Sequence, residues 1–310
     1  MIYIGTWNVM TMLKIGKMNE IADEMLKTQL QIIALQELRW NGAGQINKPT
    51  YTLYYSCDPE KTGHLGTGFM IRNEIKKNIL SFEPYNERIC KLRIKGKFNN
   101  LSIISVHAPT EEKTDEEKEK FYEDLQNIHN KIPKHDIVII LGDLNAKIGK
   151  EDVYQNVAGK YTLHETTNSN GEWVCEYAIA NNMKIASTYY QHKRIHTGTW
   201  TSPDGKTLNQ IDHVMVDAKR ISAVEDIRTM RGPNCDLDHF LVKTIIKQKL
   251  IRTPIKVAKQ VKWNQNNLLN NTKLRQYRSC LYNKLNEKGI QQDIEEEWAH
   301  INLLAPEFGI

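Results

Sequence analysis

The chain has 310 residues with 42 Lys+Arg against 37 Asp+Glu, a formal net charge of +5, and is 40% hydrophobic and 25% charged. That composition excludes a disordered chain and a fibrous repeat, and the length allows one large domain plus an appendage, or two smaller domains. The longest apolar run, Ile137 to Leu141, is strand-sized and far below the roughly 18 residues a membrane-spanning helix needs, so no membrane partner is expected.

Ile2 to Trp7 reads as a first strand, and Met18, Ile21, Ala22, Met25 and Leu26 recur at helical spacing before the strand Ile32 to Gln36. Gly63, Gly66 and Gly68 mark a turn-rich stretch ahead of Phe69-Met70-Ile71, and Leu101 to Val106 forms another strand. Thr114 and Glu117 have capping-box spacing, with Phe121, Leu125, Ile128 and Ile132 continuing an apolar face until Pro133 stops the helix. Ile137 to Leu141 has no polar alternation, which predicts a central strand covered on both faces. Strands follow near Ile211 to Val216 and Phe240 to Ile246, and surface helices over Leu274 to Leu285 and Asp293 to Leu304.

The charge is unevenly placed. Residues 239–286 hold eleven Lys or Arg and no Asp or Glu, residues 287–310 carry a net of −5, and residues 1–238 a net of −1. Around residue 250 aromatics thin out, Asn and Gln accumulate, and Pro254 interrupts a basic run, which places a domain edge there. The basic segment reads as a solvated linker or a tether adding sequence-independent affinity for a polyanion; Trp263, Tyr277 and Tyr282 are too sparse for a stacking surface. Cys57, Cys90, Cys175, Cys235 and Cys280 are widely spaced, predicting free thiols in a reducing compartment. The N-terminal residues lack the basic-then-apolar pattern of a secretory signal, so the expected location is intracellular.

Polar side chains recur immediately beside apolar strands: Trp7-Asn8, Gln36-Glu37, His107 to Thr110, Gly142 to Asn145, Ile211-Asp212-His213 and Asp238-His239. Each has an ordinary reading. Asn8 suits a turn, Glu37 a salt bridge with Arg39, Asp143 and Asn145 an Asx turn, and Asp238-His239 a surface pair. Strands of a sheet share an end, however, and six polar stations on one rim make a site. Together they supply hard oxygen ligands suited to Mg²⁺ or Mn²⁺, a titratable imidazole, and an Asp beside an Asn able to orient a water and take its proton. That chemistry is phosphodiester hydrolysis.

Gly5-Thr6-Trp7-Asn8-Val9, Leu35-Gln36-Glu37, Val106 to Thr110, Leu141 to Ala146, Thr199-Trp200, Asn209 to His213 and Leu237-Asp238-His239 resemble, in order, the motifs of the endonuclease/exonuclease/phosphatase superfamily. Leu35 to Trp40 and Thr197 to Asp212 look most like the endonuclease domain of RTE-type non-LTR retrotransposons and the related craniofacial development protein 2 family. The resemblance covers about residues 1–247. It implies an α/β (α+β) four-layered sandwich of two packed mixed β-sheets flanked by helices, with residues 248–310 as a basic then acidic linker or helical extension.

By the same resemblance Glu37 is the principal Mg²⁺ ligand and Asn8 assists it, with Mn²⁺ a substitute. Asp143 activates the attacking water, Asn145 positions the phosphate, His239 stabilises the transferring group, Asp212 orients its ring, and Asp238 is a further site carboxylate. Trp200 and Gln210 are expected to contact nucleic acid. Three positions depart from the pattern. His107 stands where many relatives have Tyr and is expected to bind phosphate, Leu237 replaces the usual Ser, and Met10 stands where abasic-site endonucleases carry Asp. The expected activity is a Mg²⁺-dependent endonuclease nicking DNA in the nucleus, as in non-LTR retrotransposition; the alternatives are a phosphatase or phosphodiesterase on small or lipid phosphoesters, and a catalytically idle nucleic-acid binder. A reverse transcriptase follows such a linker in retroelement polyproteins, so the chain is expected to be a fragment or a truncated reading frame.

Overall fold

The computed structural model describes residues 1–233, 235, 237–248 and 269–288. In chain order the elements are β1 (Ile2–Asn8), α1 (Lys17–Lys27), β2 (Ile32–Gln36), β3 (Ala43–Asn47), β4 (Tyr51–Ser56), β5 (Thr67–Arg72), β6 (Ile79–Pro84), β7 (Ile89–Ile94) and β8 (Leu101–His107). There follow α2 (Asp115–Asn130), β9 (Ile137–Asp143), α3 (Ser169–Ala180), β10 (Met183–Ile185), β11 (Trp200–Thr201), β12 (Leu208–Asn209), β13 (Asp212–Asp217), β14 (Val224–Thr229), β15 (Val242–Ile246) and α4 (Asn271–Lys288). The chain divides into two units, residues 1–252 and 253–310.

In the first unit one sheet runs β14-β15-β1-β2-β5-β4-β3 and the other β10-β13-β9-β8-β7-β6, with β11-β12 a separate small hairpin. Strand residues alternate between faces, and the apolar set divides accordingly. Ile4, Ile32, Ile103, Ile139 and Leu141 pack between the two sheets. Their strand neighbours Trp7, Ile33 and Leu35 face the layer of α1, while Ile104, Val106, Val138 and Ile140 share a cluster with Phe121 and Leu125 of α2 and Val174 and Ala178 of α3. The result is a four-layered sandwich of two mixed sheets flanked by helices. Burial on both faces is why β9 shows no polar alternation.

The expected elements are present, with shifted edges. The capping box forms at Thr114, whose hydroxyl accepts from Glu117 N at 3.3 Å while the Glu117 carboxylate accepts from Thr114 N at 3.3 Å. Leu26, expected on the buried face of α1, is 44% exposed, whereas Ile21, Ala22 and Met25 are buried. β13 and β15 start one and two residues later than their apolar runs. Strands β3, β4, β6, β7, β10 and β14 and helix α3 were not legible as elements. β3 alternates exposure with little apolar content, β6 has no regular alternation and ends in Pro84, and α3 begins with Ser169-Asn170-Gly171, poor helix formers that read as a turn. Cys57, Cys90, Cys175 and Cys235 are free and buried.

In the second unit, α4 spans the helix expected over Leu274 to Leu285, and Lys273, Arg275 and Arg278 on it are exposed. The helix expected over Asp293 to Leu304 lies outside the described residues. No helix among the described residues is long and apolar enough to cross a membrane.

Candidate active site

Strand directions bring the polar stations to one rim. β1 and β2 run parallel with Asn8 opposite Gln36, so both strands end together and Glu37 follows. β15 runs antiparallel to β1 with Val242 opposite Thr6, which carries the preceding Asp238-His239 back beside Asn8. In the other sheet β8 and β9 are parallel with His107 opposite Asp143, and β13 is antiparallel to β9 with Asp212 opposite Asp143. The two groups face each other across the sandwich.

Backbone features make this approach feasible. A Cβ on Gly142 would overlap the Val106 carbonyl, so only glycine lets β9 pass so close to β8. Met10, Glu37, Arg39 and Asn145 hold left-handed φ values of 55°, 58°, 59° and 49°. Such conformations cost energy in non-glycine residues and concentrate at functional sites.

Asn8 is the link between the sheets. Its Nδ2 donates to Glu37 Oε1 and to Asp143 Oδ2, each at 2.9 Å, while its Oδ1 accepts from Met10 N at 3.0 Å. The backbone donor at Met10 fixes the amide orientation, since an N–H needs an acceptor. Asn8 therefore turns its nitrogen toward the carboxylates. In this orientation it spaces the two carboxylates.

Glu37 carries the salt bridge its sequence neighbour suggested, with Arg39 Nη2 2.6 Å from Oε2. Burial raises the Glu37 carboxyl, but His107, Asn8 and Arg39 outweigh it and hold the group below the usual range. Asp143 moves the other way. Burial and the nearby Asp212 carboxylate raise it, against the His239 and His107 imidazoles and the Asn8 bond. The Asx turn is present too, with Asn145 N donating to Asp143 Oδ1 at 3.0 Å and Asn145 Nδ2 to Ala108 O at 3.0 Å.

His239 stands between two carboxylates. Its Nδ1 lies 3.0 Å from Asp212 Oδ2 and its Nε2 3.7 Å from Asp143 Oδ2. Burial opposes a charge there, but Asp212, Asp143 and the Asp212 hydrogen bond push the imidazole up to about 10, so it is a cation at neutral pH. Thr199 Oγ1 accepts from Ile211 N and Asp212 N at 3.0 and 3.1 Å, and Trp7 Nε1 donates to His239 O at 3.0 Å, anchoring both partners. His107 is buried and its basicity is lowered by that burial; Nε2 sits 3.9 and 4.0 Å from Glu37 and Asp143, and Nδ1 has no partner.

Two expected nucleic-acid contacts fare differently. Trp200 is half-buried and its Nε1 donates to Asp238 Oδ2 at 3.0 Å, leaving Asp238 Oδ1 buried without a partner. Gln210 is a correction. It is 2% exposed, its Oε1 accepts from Leu163 N at 3.1 Å and its Nε2 donates to Ser187 O at 3.3 Å, so both ends of its amide hold loops below the rim.

A divalent ion fits this donor set. Asp143, Asp212 and His239 bring possible ligand atoms within 4.8 Å of one another. Glu37, joined to Asp143 through the Asn8 amide, adds a further hard oxygen donor suited to such a cation. Sequence reasoning overlooked Arg88, whose Nη1 donates to His107 O at 3.1 Å, and His213, whose ring joins Ser187 Oγ to Ala146 O at 2.9 Å each. His213 lay inside a quoted motif; Arg88 carried no signal beyond its charge.

Residues 5–244 match the model of a family described as endonuclease/exonuclease/phosphatase. The chain is 33% identical over 247 residues to craniofacial development protein 2 from Bos taurus, covering 80% of this chain and 41% of that protein, and equally identical to the protein of the same name from Tragulus javanicus. It thus spans about two fifths of the length of these curated relatives. Among solved structures it is similar to the catalytic domain of Xenopus laevis APE2, with TM-score 0.61 and 16% identity over 81% of this chain and 94% of that one. A 3′ phosphatase, NExo from Neisseria bound to a product DNA hairpin, gives 0.57 and 18% over 79% and 99%. The endonuclease domain of TRAS1, a telomere-specific non-LTR retrotransposon, gives 0.56 and 12% over 82% and 100%. At these identities the solved structures speak for the fold.

Proposed function

The chain belongs to the endonuclease/exonuclease/phosphatase family, and on that premise we propose that it is a divalent-metal-dependent phosphodiesterase that nicks DNA, with residues 1–247 as the catalytic domain and 248–310 as an extension. The observation that carries the reading is Asn8 bridging Glu37 and Asp143 across the two sheets, directly beside the Asp212–His239 pair.

In this reading Asp143 is the general base. Its carboxyl is raised by burial and Asp212, which improves it as an acceptor for a water proton. Water oxygen bonds to phosphorus, its proton passes to Asp143, the P–O bond to the leaving oxygen breaks, and that oxygen takes a proton from solvent. His239, a cation held in place by Asp212, faces the negative charge that accumulates on the phosphoryl oxygens. Asn145, whose amide carries a second hydrogen besides the one given to Ala108 O, orients the phosphate, and His107 lines the same floor. Glu37 would hold Mg²⁺ or Mn²⁺, which when bound would supply positive charge to the phosphate and its leaving oxygen.

DNA as substrate is supported by the similarity to a 3′ phosphatase bound to a product DNA hairpin. Beside the rim a cleft of about 790 Å³ is lined by Lys61, Arg88 and Lys120 together with the carboxylates Asp58, Glu87, Glu117 and Asp124, so backbone contacts there would rest on the placement of individual cations. The motif resemblance to RTE-type elements supports an origin in target-DNA nicking for retrotransposition, hence action in the nucleus. The test is conversion of supercoiled plasmid to nicked circles in Mg²⁺ and in Mn²⁺, with EDTA as control. Unchanged plasmid in both metals counts against the reading, and turnover of small phosphoesters without nicking moves the substrate to that class.

A further inference from the structure

Helix α3 opens with Asn168-Ser169-Asn170-Gly171, a turn-like sequence that the catalytic roles above leave unused. Asn168 is the N-cap, its Oδ1 accepting from Gly171 N at 2.9 Å and from Lys147 N at 2.8 Å. Asn170, one turn position further on, is 4% exposed and makes no cap. Its Nδ2 donates to Pro109 O and to Asn145 O, each at 3.0 Å. Carbonyl oxygens only accept, so the orientation of this amide is fixed. A Cβ on Gly171 would overlap Lys147 O, which is why the helix end can lie directly on the loop that follows β9.

The two carbonyls belong to different rim loops. Pro109 follows His107 after β8, and Asn145 follows Asp143 after β9. The loops are also tied to each other by Ala108 N donating to Asp143 O at 2.8 Å and Asn145 Nδ2 donating to Ala108 O at 3.0 Å. Neither of those bonds restrains the Asn145 carbonyl, and Asn145 itself is held in a left-handed conformation with φ 49°. The Asn170 amide, with its two hydrogens, fastens the backbones of both loops to the helix, beside Asn168, whose Nδ2 donates to Glu111 Oε2 and whose Oδ1 accepts from Lys147 N.

We propose that Asn170 is a positioning residue for phosphodiester cleavage: its amide locks the loop carrying Asn145 to the loop carrying His107 and holds both against α3. The proposal rests on the phosphodiesterase reading of the same rim. It acts through geometry, because a displacement of about 1 Å at a reacting group costs on the order of 100-fold in rate.

The test compares Asn170→Asp and Asn170→Ala with Asn181→Ala in the full chain. Asn170→Asp keeps shape but turns two donors into an acceptor facing two carbonyls; Asn170→Ala removes the donors without adding charge and covers the case in which the first variant does not fold. Asn181 sits at the far end of α3, where its amide exchanges hydrogen bonds with Gln126 at 2.8 and 2.9 Å, so its loss loosens the same helix away from the rim. Plasmid nicking by the Asn170 variants is expected to fall roughly 10- to 100-fold in kcat with KM within about twofold, while Asn181→Ala stays within about twofold in both. Amide hydrogen exchange on the same proteins should quicken in residues 107–111 and 143–149 together for the Asn170 variants only. Retained kcat, an equal loss in Asn181→Ala, or unchanged exchange in either loop would overturn the proposal. If the wild-type chain neither nicks DNA nor turns over small phosphoesters, the phosphodiesterase reading fails, and exchange still decides whether Asn170 locks the loops.

Discussion

The two ends of β9 carry the same residue type in opposite electrostatic situations. Asp136, just before the strand, is 4% exposed and accepts from Arg93 Nε and Nη2 at 2.7 and 3.1 Å and from Ser102 Oγ at 2.8 Å. Burial works against its charge, but Arg93 and Ser102 more than compensate and its carboxyl is lowered. Asp143, closing the strand, is 2% exposed, neighbours another carboxylate, and is raised. The Asp136 end has a bidentate ion pair and ordinary backbone. The Asp143 end has left-handed residues and buried polar atoms without partners at His107 and Asp238. A carboxylate satisfied on all sides holds a fold together, whereas one crowded by like charge is a group kept ready for a ligand or a proton.

The strongest challenge to this contrast is to neutralise each aspartate in turn. Asp143→Asn is expected to lower nicking about 1,000-fold, in the range general bases contribute, while unfolding in urea shows equal or greater stability because like-charge crowding is relieved. Asp136→Ala should do the reverse. It leaves nicking within about twofold but lowers stability by about 2 kcal/mol, less than a fully buried pair would cost because the Arg93 side chain is 29% exposed. Loss of activity in Asp136→Ala at a temperature where it remains folded breaks the division.

Trp200→Phe sharpens the contrast within the rim. The ring stays but the indole N–H that holds Asp238 Oδ2 is lost, so kcat is expected to drop about tenfold, in line with one buried hydrogen bond to a charged group. No change in kcat would make Asp238 a bystander.

The smallest effect is in the pH dependence of stability, read by urea unfolding. His213 and His164 are held down to about 4, chiefly by burial, against an ordinary 6.5. The unfolded chain takes up protons there before the folded one, so stability present above 6.5 is lost as pH falls toward 4. His239 has the opposite sign. Raised to about 10, it contributes stability that is full below 6.5 and lost as pH rises through 10. His239→Gln should therefore flatten the alkaline side alone; a flattened acid side would place the titrating group elsewhere.

Much of the rim could be read from sequence because each station sits beside an unambiguous apolar strand. Asp143 follows Ile137 to Leu141, and Glu37 follows Ile32 to Leu35. Which face a side chain takes, and whether its polar atoms are already used, depends on strands that pair over long separations. Asn8 was legible as a rim residue, yet its role as a donor depends on Met10 N and on Asp143, 135 positions away. Gln210 was expected at the nucleic acid from the motif it shares just upstream of Asp212, and its partners at Leu163 and Ser187 could not be read from either neighbour. The missed α3 has a physical cause as well: the Asn and Gly that make its first turn fit the rim loops are the residues that hide it as a helix.

The net charge of +5 belongs mainly to residues 239–286, and the first 238 residues are nearly neutral. Chemistry at the rim therefore rests on where Asp143, His239 and Glu37 sit, not on bulk charge. The most direct measurement is plasmid nicking by wild type, Asp143→Asn and Asp136→Ala side by side in Mg²⁺ with an EDTA control. EDTA-sensitive nicking is expected of wild type and Asp136→Ala, with none above background from Asp143→Asn; nicking by Asp143→Asn at the wild-type rate would contradict the assignment of Asp143 as the base.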